Sequence, residues 1–300
     1  AIKNIDPRYS CVIADCQGTG RMAAEYFIDR GFTNFAFGGF ENMPWSTERY
    51  QSFAKKITEA GYQTATYTPP QGSRLSWADE QKQIADWLRS LPKPVGLMAS
   101  NDDRGQDIME ACKMAGINIP EEIAILGVDN DEMICSLTNP PMSSIGINFE
   151  RAGYEAAALL DKMMTGRKIS PQTLIARPGN LITRQSTDIL AIEDPDVARA
   201  VHYIRKNTDR PIQIYDVLNQ VSTSRRTLYQ KFRITLGRSV HDEIKRARTE
   251  HIAKMLTETN ASISKIANDL GYPGAKHIAR YFRQEKGMSP REFRKKYGKI

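Results

Sequence analysis

Along the first 185 residues, short apolar runs alternate with longer stretches whose apolar residues recur every three or four positions. The runs at 10–14, 34–38, 63–67, 95–99, 124–128 and 144–147 are predicted strands, and the stretches at 22–30, 47–60, 77–90, 104–115 and 150–165 are predicted helices. Gly31, Gly61, Gly116 and Gly166 stand just past helices, where a left-handed cap residue closes the last turn. Strands alternating with helices over short connections predict a mostly parallel sheet covered on both faces. Ligands of such sheets bind beyond the carboxyl ends of the strands, so those ends carry the functional reading.

The pattern changes after residue 185. No clear period runs through 186–193, which predicts a linker closing at Asp194, where Asp194-Pro195 starts a helix with a cap and a proline at its first position. From 195 to 300 every periodic segment is helical, with breaks at Arg210-Pro211, Gly237, Gly271, Gly287 and Ser289-Pro290. A repeat appears fifty residues apart: Phe232, Arg233, Gly237 and Ser239 recur as Phe282, Arg283, Gly287 and Ser289. Each half has a short helix (212–220; 263–270), a turn and a basic helix (224–235; 275–286), and the helix 240–258 joins the halves. That is two helix-turn-helix units. The fold class is therefore α/β plus all-α, with domains at 1–185 and 195–300.

Three hundred residues suit two domains, and 40% hydrophobic with 26% charged residues is a globular balance. No apolar stretch approaches the roughly 20 residues that span a bilayer, and no basic-then-apolar leader opens the chain. Cys11, Cys16, Cys112 and Cys135 lack CxxC spacing and lie far in sequence from the histidines, so neither disulfide scaffold nor zinc ribbon is predicted, and a cytoplasmic protein without metal or cofactor is expected. Charge divides the chain. Up to residue 193 there are 19 Lys/Arg against 24 Asp/Glu, and from 194 onward 23 against 11, nets of −5 and +12. A basic helical third points to nucleic acid as its partner.

Two patterns compete in the first domain. Gly18-Thr19-Gly20-Arg21-Met22-Ala23 follows a strand, with Glu41 twenty-one residues past Gly20, as in a dinucleotide fingerprint. However, polar or thiol residues separate the strand from its first glycine, and glycines equally suit a loop entering a helix. The other strand ends carry Ser100-Asn101-Asp102-Asp103-Arg104 and Asp129-Asn130-Asp131, and Trp45-Ser46-Thr47-Glu48-Arg49 follows the second strand. Planar amide, carboxylate and guanidinium groups with aromatic faces suit a polyhydroxylated ligand. Asp and Asn after strands serve equally as helix N-caps.

In the basic third, a recognition helix needs long donor side chains on one face to reach base edges in the major groove. Arg225, Arg226, Tyr229 and Gln230 lie opposite Leu228 and Phe232, while Lys276, His277 and Arg280 lie opposite Ile278 and Phe282. The apolar members, with Ile266, are predicted core.

The first domain resembles the effector domain of the LacI/GalR family, a periplasmic-binding-protein-like fold of two α/β lobes around a sugar cleft. The matching residues are Asp15…Gly18…Ala23, Gly31-Phe32-Thr33-Asn34-Phe35-Ala36, Arg49, Ser100-Asn101-Asp102, Gly127-Val128-Asp129-Asn130 and Ser143-Ser144-Ile145. The resemblance implies that Arg49, Asn101 and Asp129 hydrogen-bond sugar hydroxyls and that Trp77 and Phe149 lie against the ring. Trp45, opening the same helix as Arg49, and Asp102, at the same strand end as Asn101, complete the ligand-binding set. Most of the family's first lobe has no counterpart, so a fragment is expected.

Residues 196–300 resemble the AraC/XylS-type DNA-binding domain through Ser262-Ile263-Ser264-Lys265-Ile266-Ala267-Asn268-Asp269-Leu270-Gly271-Tyr272 and Tyr281-Phe282-Arg283…Gly287-Met288-Ser289-Pro290…Phe293-Arg294. Pro273-Gly274 and Ile278 depart from that pattern and bear on where the second recognition helix starts. The joined domains, with Trp45-Ser46-Thr47-Glu48-Arg49 and Asp194-Pro195…His202-Tyr203-Ile204-Arg205, are similar to bacterial regulators of xylose use. The resemblance implies a non-enzymatic, sugar-controlled transcription activator, with xylose the favoured effector. Its implied partners are double-stranded promoter DNA, RNA polymerase and a second copy in a homodimer. The alternatives are a nucleotide-binding enzyme with a DNA-binding tail and a constitutive DNA binder.

Overall fold

A computed structural model describes residues 6, 8–67, 76–166, 169–192 and 194–298. The chain divides into two compact units, Ala1–Ala191 and Ile192–Ile300.

In the first unit, six strands form one sheet in the order β3-β2-β4-β5-β6-β8: β2 (Asn34–Gly38), β3 (Thr64–Tyr67), β4 (Val95–Ala99), β5 (Ile123–Asp129), β6 (Ser143–Ile147) and β8 (Pro178–Ile182). All neighbours are parallel except β8, which runs antiparallel to β6. A separate parallel pair joins β1 (Cys11–Ala14) to β7 (Thr173–Ala176). Central strands read as unbroken apolar runs because both faces are covered. Along β5, Ile123 and Ile125 enter one core with Ile84 and Leu88 of α3 (Trp77–Ser90) and Ile108 of α4 (Asp102–Ala115). Ala124, Leu126 and Val128 enter the opposite core with Phe27 of α1 (Cys16–Ile28) and Phe53 of α2 (Pro44–Glu59). The two-residue period of the strand thus sorts its side chains between two helical layers.

Three features depart from the sequence-based expectation. First, α1 begins at Cys16 rather than residue 22, because Asp15 caps it by accepting the Gly18 amide at 2.8 Å. The glycines of the apparent nucleotide fingerprint therefore lie within the helix, and a Cβ on Gly20 would run into the Arg49 carbonyl and sit 2.9 Å from the Phe53 amide nitrogen. They let α1 and α2 approach closely. Second, β7, β8 and the short α5 (Glu132–Leu137) were not expected; each is short, and Pro178 interrupts the apolar pattern of β8. Third, Ser186 and Thr187 are not linker but buried structure. Ser186 Oγ donates to the Ile125 carbonyl at 2.7 Å, and Thr187 Oγ1 bonds Tyr26 and Ser143 hydroxyls at 2.6 and 2.7 Å. Glu193, at the end of the expected linker, lies outside the described residues.

The second unit is helical: α7 (Pro195–Lys206), α8 (Ile214–Leu218), α9 (Arg225–Leu236), α10 (Val240–Glu258), α11 (Ile263–Asp269), α12 (Ala275–Lys286) and α13 (Pro290–Tyr297). α8 is shorter than the expected 212–220, opening on a Gln213–Asp216 capping box. α10 packs on α7 and α9 and also on α11, α12 and α13, so it is shared by both halves. Leu228, Phe232, Ile266, Ile278 and Phe282 are fully buried. The alternation of buried and exposed positions over 228–240 recurs position by position over 278–290, so the sequence repeat is a structural repeat.

Candidate functional site

At the carboxyl ends of β2, β4 and β5 the chain must leave the sheet, and polar side chains meet there. Arg49, on the second turn of α2, is only 4% exposed and points back under the strand ends. Its Nη1 donates to the Ser100 carbonyl after β4, and its Nη2 reaches Asp129 Oδ1 at the end of β5, at 3.2 Å. Trp45, one turn earlier on α2, sets its ring 5.2 Å from the guanidinium carbon and meets Phe40 edge-on. The Arg49 Nε is buried without a hydrogen-bond partner. Burial raises the pKa of the neighbouring Cys16 thiol, with Arg49 acting against it. Trp45, Arg49 and Asp129, three of the expected ligand residues, thus form one continuous cluster.

The remaining expected residues divide. Asn101 caps α4, accepting the Arg104 amide at 3.1 Å while its Nδ2 donates to Asp103 at 2.8 Å, so it fills the N-cap role that Asp residues were also candidates for. Phe149 opens α6 (Phe149–Met164) just past β6, 54% exposed. Trp77 opens α3, 63% exposed, and donates to Asp107. Asp102 is a correction. It is 2% exposed, and its carboxylate turns into the domain to accept bonds from Ser144 Oγ (2.6 Å), the Asp131 amide (2.7 Å) and Cys135 Sγ (3.5 Å), which leaves it engaged internally rather than presented to a ligand. Burial pushes its carboxyl up to about 6, against the pull of those hydrogen bonds.

Arg104, which the sequence offered only as the last residue of the polar run after β4, lies against the same Phe40 ring that Trp45 meets. It is 1% exposed, pairs with Glu80 Oε1 at 2.9 Å and lies 4.1 Å from the centre of the Phe40 ring. The Arg104 Nε and the nearby Tyr67 hydroxyl are both buried without partners. The signal was its place three residues after the Asn101 cap, on the inward face of α4. Among the described residues no cluster of His, Cys, Asp or Glu is placed to hold a metal ion.

In the second unit, each basic helix is set by its own local code. Ser224 caps α9 by accepting the Thr227 amide at 3.2 Å, and Gly237 ends it in the left-handed conformation. Gly274, with φ 156°, opens α12 where Pro273-Gly274 left the start in question, and Gly287 ends it. Arg225, Arg226 and Gln230 on α9, and Lys276, His277 and Arg280 on α12, are exposed; Tyr229 is half-buried beneath Arg225, at 5.5 Å. Several other basic residues brace the unit instead. Lys231 ties α9 to the start of α7 through Asp194 (2.9 Å) and Asp196 (2.8 Å), and Lys245 meets Glu285 at 2.6 Å between α10 and α12. The carboxylate of Glu243, which burial would raise, is lowered on balance by Arg238, Arg205 and Arg246.

A parallel sheet with a polar cluster at its strand ends, followed by two capped helix-turn-helix units with exposed basic faces, defines a ligand-responsive DNA-binding regulator. Comparison with known families agrees: a periplasmic binding protein-like domain matches residues 24–187 and a helix-turn-helix domain matches residues 217–296. The xylose operon regulatory protein of Haemophilus influenzae is 32% identical over 291 residues, covering 96% of this chain and 75% of that protein. That of Escherichia coli strain K12 is 30% identical over 269 residues, 89% of this chain and 69% of that protein. The solved structure of a xylose-binding transcription activator matches with a TM-score of 0.58 and 29% identity, over 98% of this chain and 78% of that one. The chain belongs to the family of xylose operon regulatory proteins, AraC-type transcriptional regulators with a periplasmic-binding-protein-like effector domain.

Proposed function

We propose that this chain is a xylose-responsive activator of transcription. The observation that carries the reading is the Arg49–Asp129 pair beside Trp45, in a chain similar over nearly its whole length to xylose operon regulatory proteins. A guanidinium and a carboxylate fixed against each other offer paired donors and acceptors to vicinal hydroxyls, and Trp45 and Phe149 offer flat apolar faces to a sugar ring. Asn101 retains a free amide proton and carbonyl lone pair for the same ligand beyond its capping bonds.

On the DNA, the exposed arginines would pair with guanine, Gln230 with adenine, and the other basic residues with phosphates, so that each protomer reads two successive major grooves. The sugar acts by favouring one arrangement of a homodimer over another, and RNA polymerase is the partner of the DNA-bound form. This is a cytoplasmic role without catalysis. It fits the absence, among the described residues, of any helix long and apolar enough to cross a membrane.

The test is the affinity of the intact protein for its promoter with and without xylose, in the wild type and Asp129→Ala. The proposal expects xylose to shift promoter affinity in the wild type, and Asp129→Ala to abolish that shift while keeping sugar-free affinity. A normal xylose response in Asp129→Ala would remove the Arg49–Asp129 pair from the site.

A further inference from the structure

Asp102 sits at the same strand end as the sugar cluster, yet its carboxylate points the other way, and what it holds is the chain that carries Asp129. At the end of β5 the backbone takes two consecutive residues of positive φ, neither of them glycine: Asp129, the last of the strand, at φ 103° and Asn130 at φ 54°. L side chains disfavour that region, so such a turn persists only where its surroundings over-determine it.

The surroundings here converge on one carboxylate. Asp102 Oδ2 accepts the Asp131 amide at 2.7 Å. Asp102 Oδ1 accepts the Ser144 hydroxyl at 2.6 Å, and that hydroxyl oxygen accepts the Asn130 amide at 3.0 Å. Both N–H groups that follow Asp129 are therefore tied to Asp102, one directly and one through Ser144. Arg184 closes the far side, with Nη2 on Asn130 Oδ1 at 3.0 Å and Nη1 on the Met142 carbonyl at 2.9 Å. Gly127, two residues before Asp129, has no side chain because a Cβ there would collide with Asp102 Oδ1.

We propose that Asp102 is a positioning residue for the sugar site: its buried carboxylate, with Ser144 as relay, holds the β5–α5 turn so that Asp129 meets Arg49. The consequence for sugar binding rests on the function proposed above, whereas the hold on the turn rests on the geometry alone. Three groups aimed at the carboxylate are donors (the Asp131 amide, the Ser144 hydroxyl and the Cys135 thiol), which is why an acceptor-only side chain occupies the position.

Two measurements on the intact protein decide it. The first is amide hydrogen exchange, which needs no ligand. Asp102→Ala should speed exchange at Asn130 and Asp131 by about tenfold or more, the effect of losing one hydrogen bond to a charged acceptor, while amides in β4 and α2 keep their rates. Ser144→Ala, a smaller change that carries the test should Asp102→Ala fail to fold, should speed Asn130 and leave Asp131 slow. The second is xylose affinity in a double-mutant cycle. Asp102→Ala should weaken it about tenfold in the wild type and add nothing in Asp129→Ala, a non-additivity that a general loss of stability would not produce. Unchanged Asn130 exchange in Ser144→Ala, a uniform rise across the sheet in Asp102→Ala, or additive losses in the cycle would overturn the inference. A wild type that binds no xylose would tell against the sugar reading, and the exchange rates would then decide the role of Asp102 alone.

Discussion

Arg49 and Arg226 show how one residue type takes opposite roles. Arg49 is buried and fixed between a backbone carbonyl and Asp129, whereas Arg226 stands exposed on α9. Arg226→Ala should weaken specific promoter binding by about 1–3 kcal/mol and relax base preference at one position. Titrations against specific and random DNA check this, and equal losses on both would make Arg226 a phosphate contact. Asp102 gives a prediction in pH. Its carboxyl lies near 6 in the folded chain, above the ordinary carboxylate range, so the folded state holds this proton more tightly than the unfolded state. Its contribution to stability is therefore fully present below about pH 4 and is lost as pH rises to about 6, by at most about 3 kcal/mol. Denaturant midpoints across that range should show this fall in the wild type and a flatter profile in Asp102→Asn. Parallel profiles would mean that Asp102 titrates normally.

The helices and strands that surround the site test how far pattern reaches. Gly20→Ala should destabilise the first unit by about 1–3 kcal/mol, because the new methyl collides with α2 backbone rather than with a flexible side chain. Urea unfolding measures it, and an unaltered midpoint would mean that the close approach of α1 and α2 does not depend on a glycine at this position. The central strands and the helix-turn-helix repeat were legible because period and burial coincide: every buried position of β4 and β5 is apolar, and Phe232 and Phe282 sit at matched points of a repeat. Gly31, Gly61, Gly116 and Gly166 all take positive φ, as their places after helices implied. β7 and β8 were not legible; β8 opens on Pro178-Gly179-Asn180, which leaves only Leu181 and Ile182 as an apolar run. Ser186 and Thr187 looked like linker because polar residues can be buried when every hydroxyl finds a partner, which no composition reveals. For the same reason the inward turn of Asp102 was not legible beside Asn101: adjacency at a strand end fixes position but not the direction a side chain turns.

At the scale of the whole molecule, chemistry is divided between the units. The first carries the net negative charge and the polar strand ends; the second carries the positive charge. That positive charge overstates the DNA-facing surface. Lys231, Lys245, Arg205, Arg238 and Arg246 form ion pairs within the second unit, and Arg248 donates to the Leu270 carbonyl while lying 4.3 Å from the Tyr272 ring. On α9 and α12, Arg225, Arg226, Lys276 and Arg280 remain exposed. If the polar strand ends of the first unit bind a sugar, thermal unfolding of the intact protein against a panel of pentoses and hexoses will reveal it. Xylose at one hundred times its Kd should stabilise the native state by about 2.7 kcal/mol, and Asp129→Ala should lose that gain. No shift with any sugar, or an equal shift in Asp129→Ala, would contradict it.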